Sequence, residues 1–264
     1  MEKPPTYLAR ADWVAACGFT PYSEAEVLSQ LSIKIKQNKD LGVRSFVLLD
    51  LDSTLYEVAP RTVRIYQEAA RELVAMPLPV QQALATTSQP ATGYSLEDTW
   101  EKLGLCWKNP EFHPAQSALR AFWRERFFSN AYLEHDIPYP GTAEFAHQLH
   151  ILGGEIVYLT GRDEPGMREG TLRNLERDGF PMGPNTHLRM KASREGEDIP
   201  HKVGTALTLQ KEGEVIASFE NEPRNFAALA EALPHCLHVF VDTICSDQPA
   251  PIVRGAYHLR RFRA

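Results

Sequence analysis

The sequence predicts an α/β fold, a doubly wound parallel sheet with a helical cap domain inserted after the first core strand. Three observations predict it. First, five short apolar runs, FVLLD (46–50), IVYLT (156–160), THLRM (186–190), VIASF (215–219) and LHVFV (237–241), have the length and composition of buried parallel strands. Second, helical patterns separate most of them, at roughly 142–152, 165–179, 200–212 and 223–232. Strands alternating with helices require right-handed crossovers onto one sheet, with helices on both faces. Third, residues 56–138 interrupt that rhythm with a long stretch of little strand character.

In chain order, the first twenty residues read as irregular. Ser23 and Glu26 form an S-x-x-E capping box that starts a helix running to about Asp40, within an N-terminal helical extension of residues 1–42. Lys34, Lys36 and Lys39 read as its solvated face. The core then comprises 1–55 and 139–264, and the insertion 56–138. Helices are expected there at about 60–75, 95–105 and 114–130. MPLPVQQALATTSQPATGYS (76–95), rich in Pro, Thr and Ser, reads as loop, and PYPG (138–141) as the turn back to the core. His113, Trp100, Trp107 and Trp123 lie in the insertion, where aromatic residues more often form a core than line a pocket.

Bulk properties exclude some functions. A net charge of -6 gives no general attraction to nucleic acid or to an anionic membrane. No apolar run approaches the length of a membrane span, and MEKPPTYLARADW lacks the apolar core of a signal peptide. Cys17, Cys106, Cys236 and Cys245 form no C-x-x-C pair, which suits reduced thiols and a cytoplasmic location. His235, Cys236 and His238 resemble a soft-metal cluster, but strand alternation sends the two histidines to opposite faces.

In an open parallel sheet, ligands bind beyond the carboxyl ends of the strands. The first strand ends in DLDST, where Asp50 and Asp52 can reach one crevice and divide the work of nucleophile and proton carrier. The second ends in TGR: Thr160 offers a hydroxyl, Gly161 lets a ligand approach the backbone, and Arg162 offers a guanidinium fork. Arg162 could equally pair with Asp163 or Glu164 at the surface. Lys202, after Pro200 at the start of a helix, can neutralise phosphate charge; Lys191 competes for that role. The fourth strand ends in FENEPRN, where Glu220, and with it Asn221 or Glu222, offers the hard oxygen ligands that magnesium prefers. Arg224 and Asn225 read as braces of the following helix.

Taken together, these residues resemble the four motifs of the haloacid dehalogenase-like superfamily, over residues 43–241. DLDST resembles D-x-D-x-T, YLTGR the strand ending in Thr or Ser, DIPHK the lysine segment, and SFENEPRN a common form of the fourth motif. The resemblance implies a magnesium-dependent phosphatase acting on a small phosphorylated substrate, such as a nucleotide, a sugar phosphate or a phospho-acid. It implies Asp50 as the nucleophile, Asp52 as general acid and base, Thr54 as a brace, and Thr160 and Lys202 as holders of phosphate oxygens. It places the metal on Asp50, the backbone carbonyl of Asp52, and Glu220. The fourth motif usually begins with aspartate, so Glu220-Asn221 is a departure. A phosphomutase or phosphonatase on the same core, or a silent phospho-ligand-binding relative, stay open as alternatives.

Overall fold

The computed structural model describes residues 6–262. Among the described residues, seven strands form one sheet, numbered here in chain order: β1 (Thr20–Pro21), β2 (Ser45–Leu49), β3 (Glu155–Asp163), β4 (Thr186–Lys191), β5 (Glu214–Glu220), β6 (Leu237–Val241) and β7 (Tyr257–Leu259). Their order across the sheet is β1-β7-β6-β5-β2-β3-β4, and every pairing is parallel. The expected α/β class and parallel sheet are therefore present. The chain steps from β2 to β3 and β4 on one side, and from β5 to β6 and β7 on the other. The order reverses at β2, which opens a crevice at its carboxyl end.

Burial explains why β2 is central. Phe46, Val47, Leu48 and Leu49 are all buried, so both faces of the strand need cover. On one face Val47 and Leu49 join Ile156, Tyr158, Ala217 and Phe219 with Val27, Leu31 and Ile35 from the helix Glu24–Asp40. On the other, Phe46 and Leu48 join Val157, Leu159, Ala206 and Leu209. The Ser23–Glu26 capping box starts the helix Glu24–Asp40, each partner bonding the other's backbone.

β3 carries an irregularity that matters for the site. Leu159 pairs with Arg189 and Asp163 with Lys191, so four steps along β3 match two along β4. Thr160, Gly161 and Arg162 bow out of the ladder as a bulge, a device that re-aims side chains.

The chain divides into two compact units. One runs to Tyr56 and includes Pro138–Glu164 and Leu175 onward; the other comprises Glu57–Ile137 and Pro165–Asn174. The second unit is helical, with helices Ala59–Glu72, Leu78–Ala85, Leu96–Lys102 and His113–Phe127. Ile65, Tyr66, Ala69, Val80, Leu84, Trp100, Leu119 and Phe122 form its interior. A buried fork, Arg61 to Asp136 at 2.8 and 2.6 Å, joins its first helix to the end of the segment Glu57–Ile137, and the guanidinium also lies 4.2 Å from the Phe127 ring centroid.

Two expectations need correction. The first twenty residues are not irregular throughout: Arg10–Cys17 is a helix, holding Trp13 and Cys17 against Phe226, Phe240 and Ala256. The segment 76–95 is not loop throughout, because Leu78–Ala85 is helical. Its Pro79 falls in the first turn, where a missing N–H costs nothing.

Candidate active site

The turn after β2 builds the floor of the site. The Asp50 N–H donates to the Phe219 carbonyl on β5 at 3.1 Å. The Leu51 carbonyl then receives the N–H groups of Thr54, Leu55 and Tyr56 at 3.1, 2.9 and 2.9 Å. Ser53 completes the reversal in the left-handed region, with φ 61°, and Leu51 and Leu55 are wholly buried beneath it. The reversal brings Thr54 back over Asp50: its hydroxyl donates to Asp50 Oδ2 at 2.8 Å and lies 3.1 Å from Asn221 Oδ1.

Lys202 closes the other side. It belongs to the helix Asp198–Glu212, whose Ala206 and Leu209 pack under the sheet and so aim the same face inward. Its ammonium donates to Asp50 Oδ1 at 2.6 Å and to Glu220 Oε2 at 2.5 Å. All three side chains are buried. Burial, then the Glu220 charge, pushes the Asp50 carboxyl up to about 7, against the opposing pull of Lys202. Burial pulls Lys202 down, but the charges of Asp50 and Glu220 outweigh it and leave the ammonium raised. One cation thus faces two carboxylates in a dry site.

Glu220 ends β5, and its second oxygen, Oε1, accepts the N–H groups of Asn221 and Glu222 at 3.1 and 3.0 Å. These amides open the helix Pro223–Ala232, so the carboxylate is held at a helix N-terminus. Asn221 turns its amide nitrogen to the Ile244 carbonyl at 2.6 Å, which leaves its oxygen on the Thr54 side. Glu222, considered above as an alternative ligand, instead binds the N–H and hydroxyl of Ser246.

The β3 bulge supplies the remaining groups. Thr160 is fully buried, and its Oγ1 accepts the Arg162 N–H at 3.2 Å. A Cβ at Gly161 would lie 2.5 Å from Asp198 Oδ2, so any larger residue there would have to displace that carboxylate. The Arg162 side chain, buried rather than on the surface, forks onto Asp52: Nε to Oδ2 at 3.1 Å and Nη2 to Oδ1 at 2.7 Å.

The structure therefore joins Asp50, Thr54, Lys202, Glu220 and Asn221 in one hydrogen-bonded network, with the Asp52–Arg162 pair two residues along the turn. Lys191, the rival lysine, binds Asp198 and the Gly196 carbonyl instead. Arg224 bonds Gln248. His238 commits both ring nitrogens, to Ser218 and to the Leu233 carbonyl. Trp100 is wholly buried in the helical unit, with Trp107 and Phe112 edge-on against it.

Sequence reasoning missed two contributors. The loop after β6 supports the site from below: the Thr243 hydroxyl donates to the Ser53 carbonyl, and Ile244 and Ser246 hold Asn221 and Glu222. Its position after a strand of the same sheet was the available signal. Asp198 was the other; one helical turn before Lys202, it shares that residue's face.

The donors available to a metal are all oxygen: the Asp50 and Glu220 carboxylates, the Asp52 backbone carbonyl and the Asn221 amide oxygen. Among the described residues, no group of three or more His, Cys, Asp or Glu side chains forms a self-contained metal cage. Few carboxylates, with coordination completed by water and substrate oxygens, is how magnesium is usually bound, so the donor set fits that ion.

These features define an α/β protein with a buried carboxylate–lysine–carboxylate site at the switch point of a parallel sheet. The family described as HAD superfamily, subfamily IIIB (Acid phosphatase) matches residues 111–220, a span that takes in Thr160, Lys202 and Glu220 and leaves out Asp50. Two solved structures share the fold. A candidate phosphatase from Clostridium difficile superposes with a TM-score of 0.55 at 15% identity, covering 83% of this chain and 95% of that one. Protein Tyrosine Kinase A of Mycobacterium tuberculosis superposes at 0.50 with 18% identity, covering 82% and 94%. A sequence comparison with curated proteins finds no match. The chain thus resembles the haloacid dehalogenase-like superfamily over residues 111–220 and shares the fold of these solved structures.

Proposed function

We propose that the protein is a magnesium-dependent phosphatase that hydrolyses a small phosphomonoester through an aspartyl-phosphate on Asp50. One observation carries this reading: Asp50 is buried at the sheet's switch point with one oxygen on Lys202 and the other on Thr54. That arrangement orients a carboxylate for attack and places a fixed cation where charge develops. The family description, which names an acid phosphatase, adds support.

In the proposed reaction an Asp50 oxygen forms a bond to phosphorus. The bond from phosphorus to the ester oxygen breaks, and its electron pair leaves with that oxygen. The Asp52 carboxyl gives its proton to that oxygen, releasing the alcohol. Water then attacks phosphorus, Asp52 takes a proton from it, and the Asp50–phosphorus bond breaks to give inorganic phosphate and a free carboxylate. The proton lent in the first half is regained in the second. Lys202, the Thr160 hydroxyl and the backbone at Gly161 hold the phosphate oxygens. Magnesium held by Asp50, the Asp52 carbonyl and Glu220, with Asn221 alongside, would supply charge neutralisation for the phosphoryl group.

The test is phosphate release from nucleotides, sugar phosphates and phospho-acids with magnesium. Wild type should turn over at least one of them, and Asp50→Asn should lose activity by a factor of about a thousand or more, as loss of a covalent nucleophile does. Full activity in Asp50→Asn would overturn the assignment. In the phosphonatase alternative a lysine of the insertion, Lys102 or Lys108, forms a Schiff base; Lys102 is bonded to the Thr92 carbonyl at 2.8 Å, which argues against it.

A further inference from the structure

Asp52 is the proton carrier of the proposed reaction, and such a group works only if its carboxyl plane faces the leaving oxygen. Its side chain is 31% exposed, on a turn where several rotamers are open to an unrestrained aspartate. Arg162 removes that freedom through two parallel contacts, Nε to Oδ2 at 3.1 Å and Nη2 to Oδ1 at 2.7 Å. The arginine is itself immobilised. Its side chain is 1% exposed, its guanidinium lies 5.9 Å from the ring centroid of buried Tyr56, and its backbone N–H is tied to Thr160 on the β3 bulge. A fork of this kind engages one lone pair on each carboxylate oxygen and so sets the plane of the group.

We propose that Arg162 is a positioning residue: its guanidinium fork fixes the plane of the Asp52 carboxyl group, which lets the enzyme cleave esters of strongly basic alcohols. The proposal rests on the phosphatase function argued above. An alkoxide leaves phosphorus with difficulty unless a proton arrives as the bond breaks, whereas a nitrophenolate leaves without one. Misplacing Asp52 therefore damages the two classes of ester unequally. The value of kcat/KM reports events up to formation of the aspartyl-phosphate, so it isolates the first proton transfer from the second.

The experiment compares wild type, Arg162→Lys and Arg162→Gln on n-propyl phosphate and p-nitrophenyl phosphate with magnesium. For propyl phosphate, kcat/KM should fall about 100-fold in both variants, the low end of what general acid catalysis supplies. For the nitrophenyl ester it should fall less than about threefold, with a burst of nitrophenolate before a slower steady state, because Asp52 also activates water. Lysine should not rescue, since it keeps the charge but lacks the planar fork. Equal falls in kcat/KM on both esters would make Arg162 a phosphate ligand or a scaffold residue and would overturn the proposal. Crystal structures of wild type and Arg162→Gln give a second measurement that needs no turnover. Asp52 should hold one rotamer in the first and several in the second; one shared rotamer in both would also overturn it. A wild type that cleaves neither these esters nor any member of the nucleotide, sugar phosphate and phospho-acid panel would defeat the phosphatase function alone, leaving the crystallographic comparison to decide the role of Arg162.

Discussion

The Lys202 ammonium lies 2.6 Å from Asp50 Oδ1 in a site closed to solvent, and the same nitrogen serves Glu220. The trio carries one positive and two negative charges when both acids are ionised, so its stability depends on which member is removed. Lys202→Met leaves two buried carboxylates facing each other. It should destabilise the metal-free protein by about 3–5 kcal/mol, the range for breaking a buried ion pair from one side. Urea unfolding at neutral pH measures this, and a variant as stable as wild type would show that the carboxylates find other partners.

The raised Asp50 carboxyl gives a pH signature. The folded protein binds this proton more tightly than the unfolded chain, whose carboxyl titrates near 3.8. The stability this group contributes is therefore greatest below the unfolded value and falls as pH rises toward about 7, levelling off above. Asp50→Asn carries no such charge, so its unfolding midpoint relative to wild type should improve between pH 5 and pH 8 without metal. A pH-independent difference would contradict the shift.

Magnesium affinity should follow the same proton. Binding requires the ionised carboxylate, so calorimetric titration should give weaker binding at pH 6 than at pH 8, with proton release in the acid range. Asn221→Asp adds a charge beside Glu220 and should tighten magnesium binding, because ligand charge sets affinity at hard-cation sites. It should also lower the stability of the metal-free protein. Unchanged affinity in Asn221→Asp would place the metal away from Asn221.

The helical unit has its own keystone. Arg61 and Asp136 are both fully buried and bonded at 2.8 and 2.6 Å. Asp136→Asn should cost about 3–5 kcal/mol by leaving the guanidinium charge without its counter-ion. Thermal unfolding reads the loss, and a change under about 1 kcal/mol would mean that Phe127 and its carbonyl suffice to hold Arg61.

Much of the sheet was legible because its central strands are continuous apolar runs; Val47 to Leu49 and Ile156 to Leu159 are buried on both faces and admit few other readings. Asp50, Thr160 and Glu220 stood out because each follows such a run. The edge strands Thr20–Pro21 and Tyr257–Leu259 are two and three residues long, too short to leave a periodic trace. The helix Arg10–Cys17 buries only Trp13 and Cys17, so its amphipathic pattern is faint. In Leu78–Ala85 proline marks a helix start, although in sequence it belongs to a stretch rich in Pro, Thr and Ser that reads as loop. The Asp52–Arg162 fork joins residues 110 positions apart through a bulge, and no local pattern announces a bulge. A surface pairing of Arg162 with its neighbours was equally consistent with the letters; only burial decided against it.

The most direct test of the central claim is acid quench of the protein during turnover, followed by mass spectrometry of the peptide containing Asp50. A phosphoryl group on Asp50, absent from Asp50→Asn and discharged when the protein is left at neutral pH, is the expected result. Phosphate released from substrate with no phosphoryl group ever trapped on this peptide, even when Asp52→Asn is used to stall its hydrolysis, would contradict it.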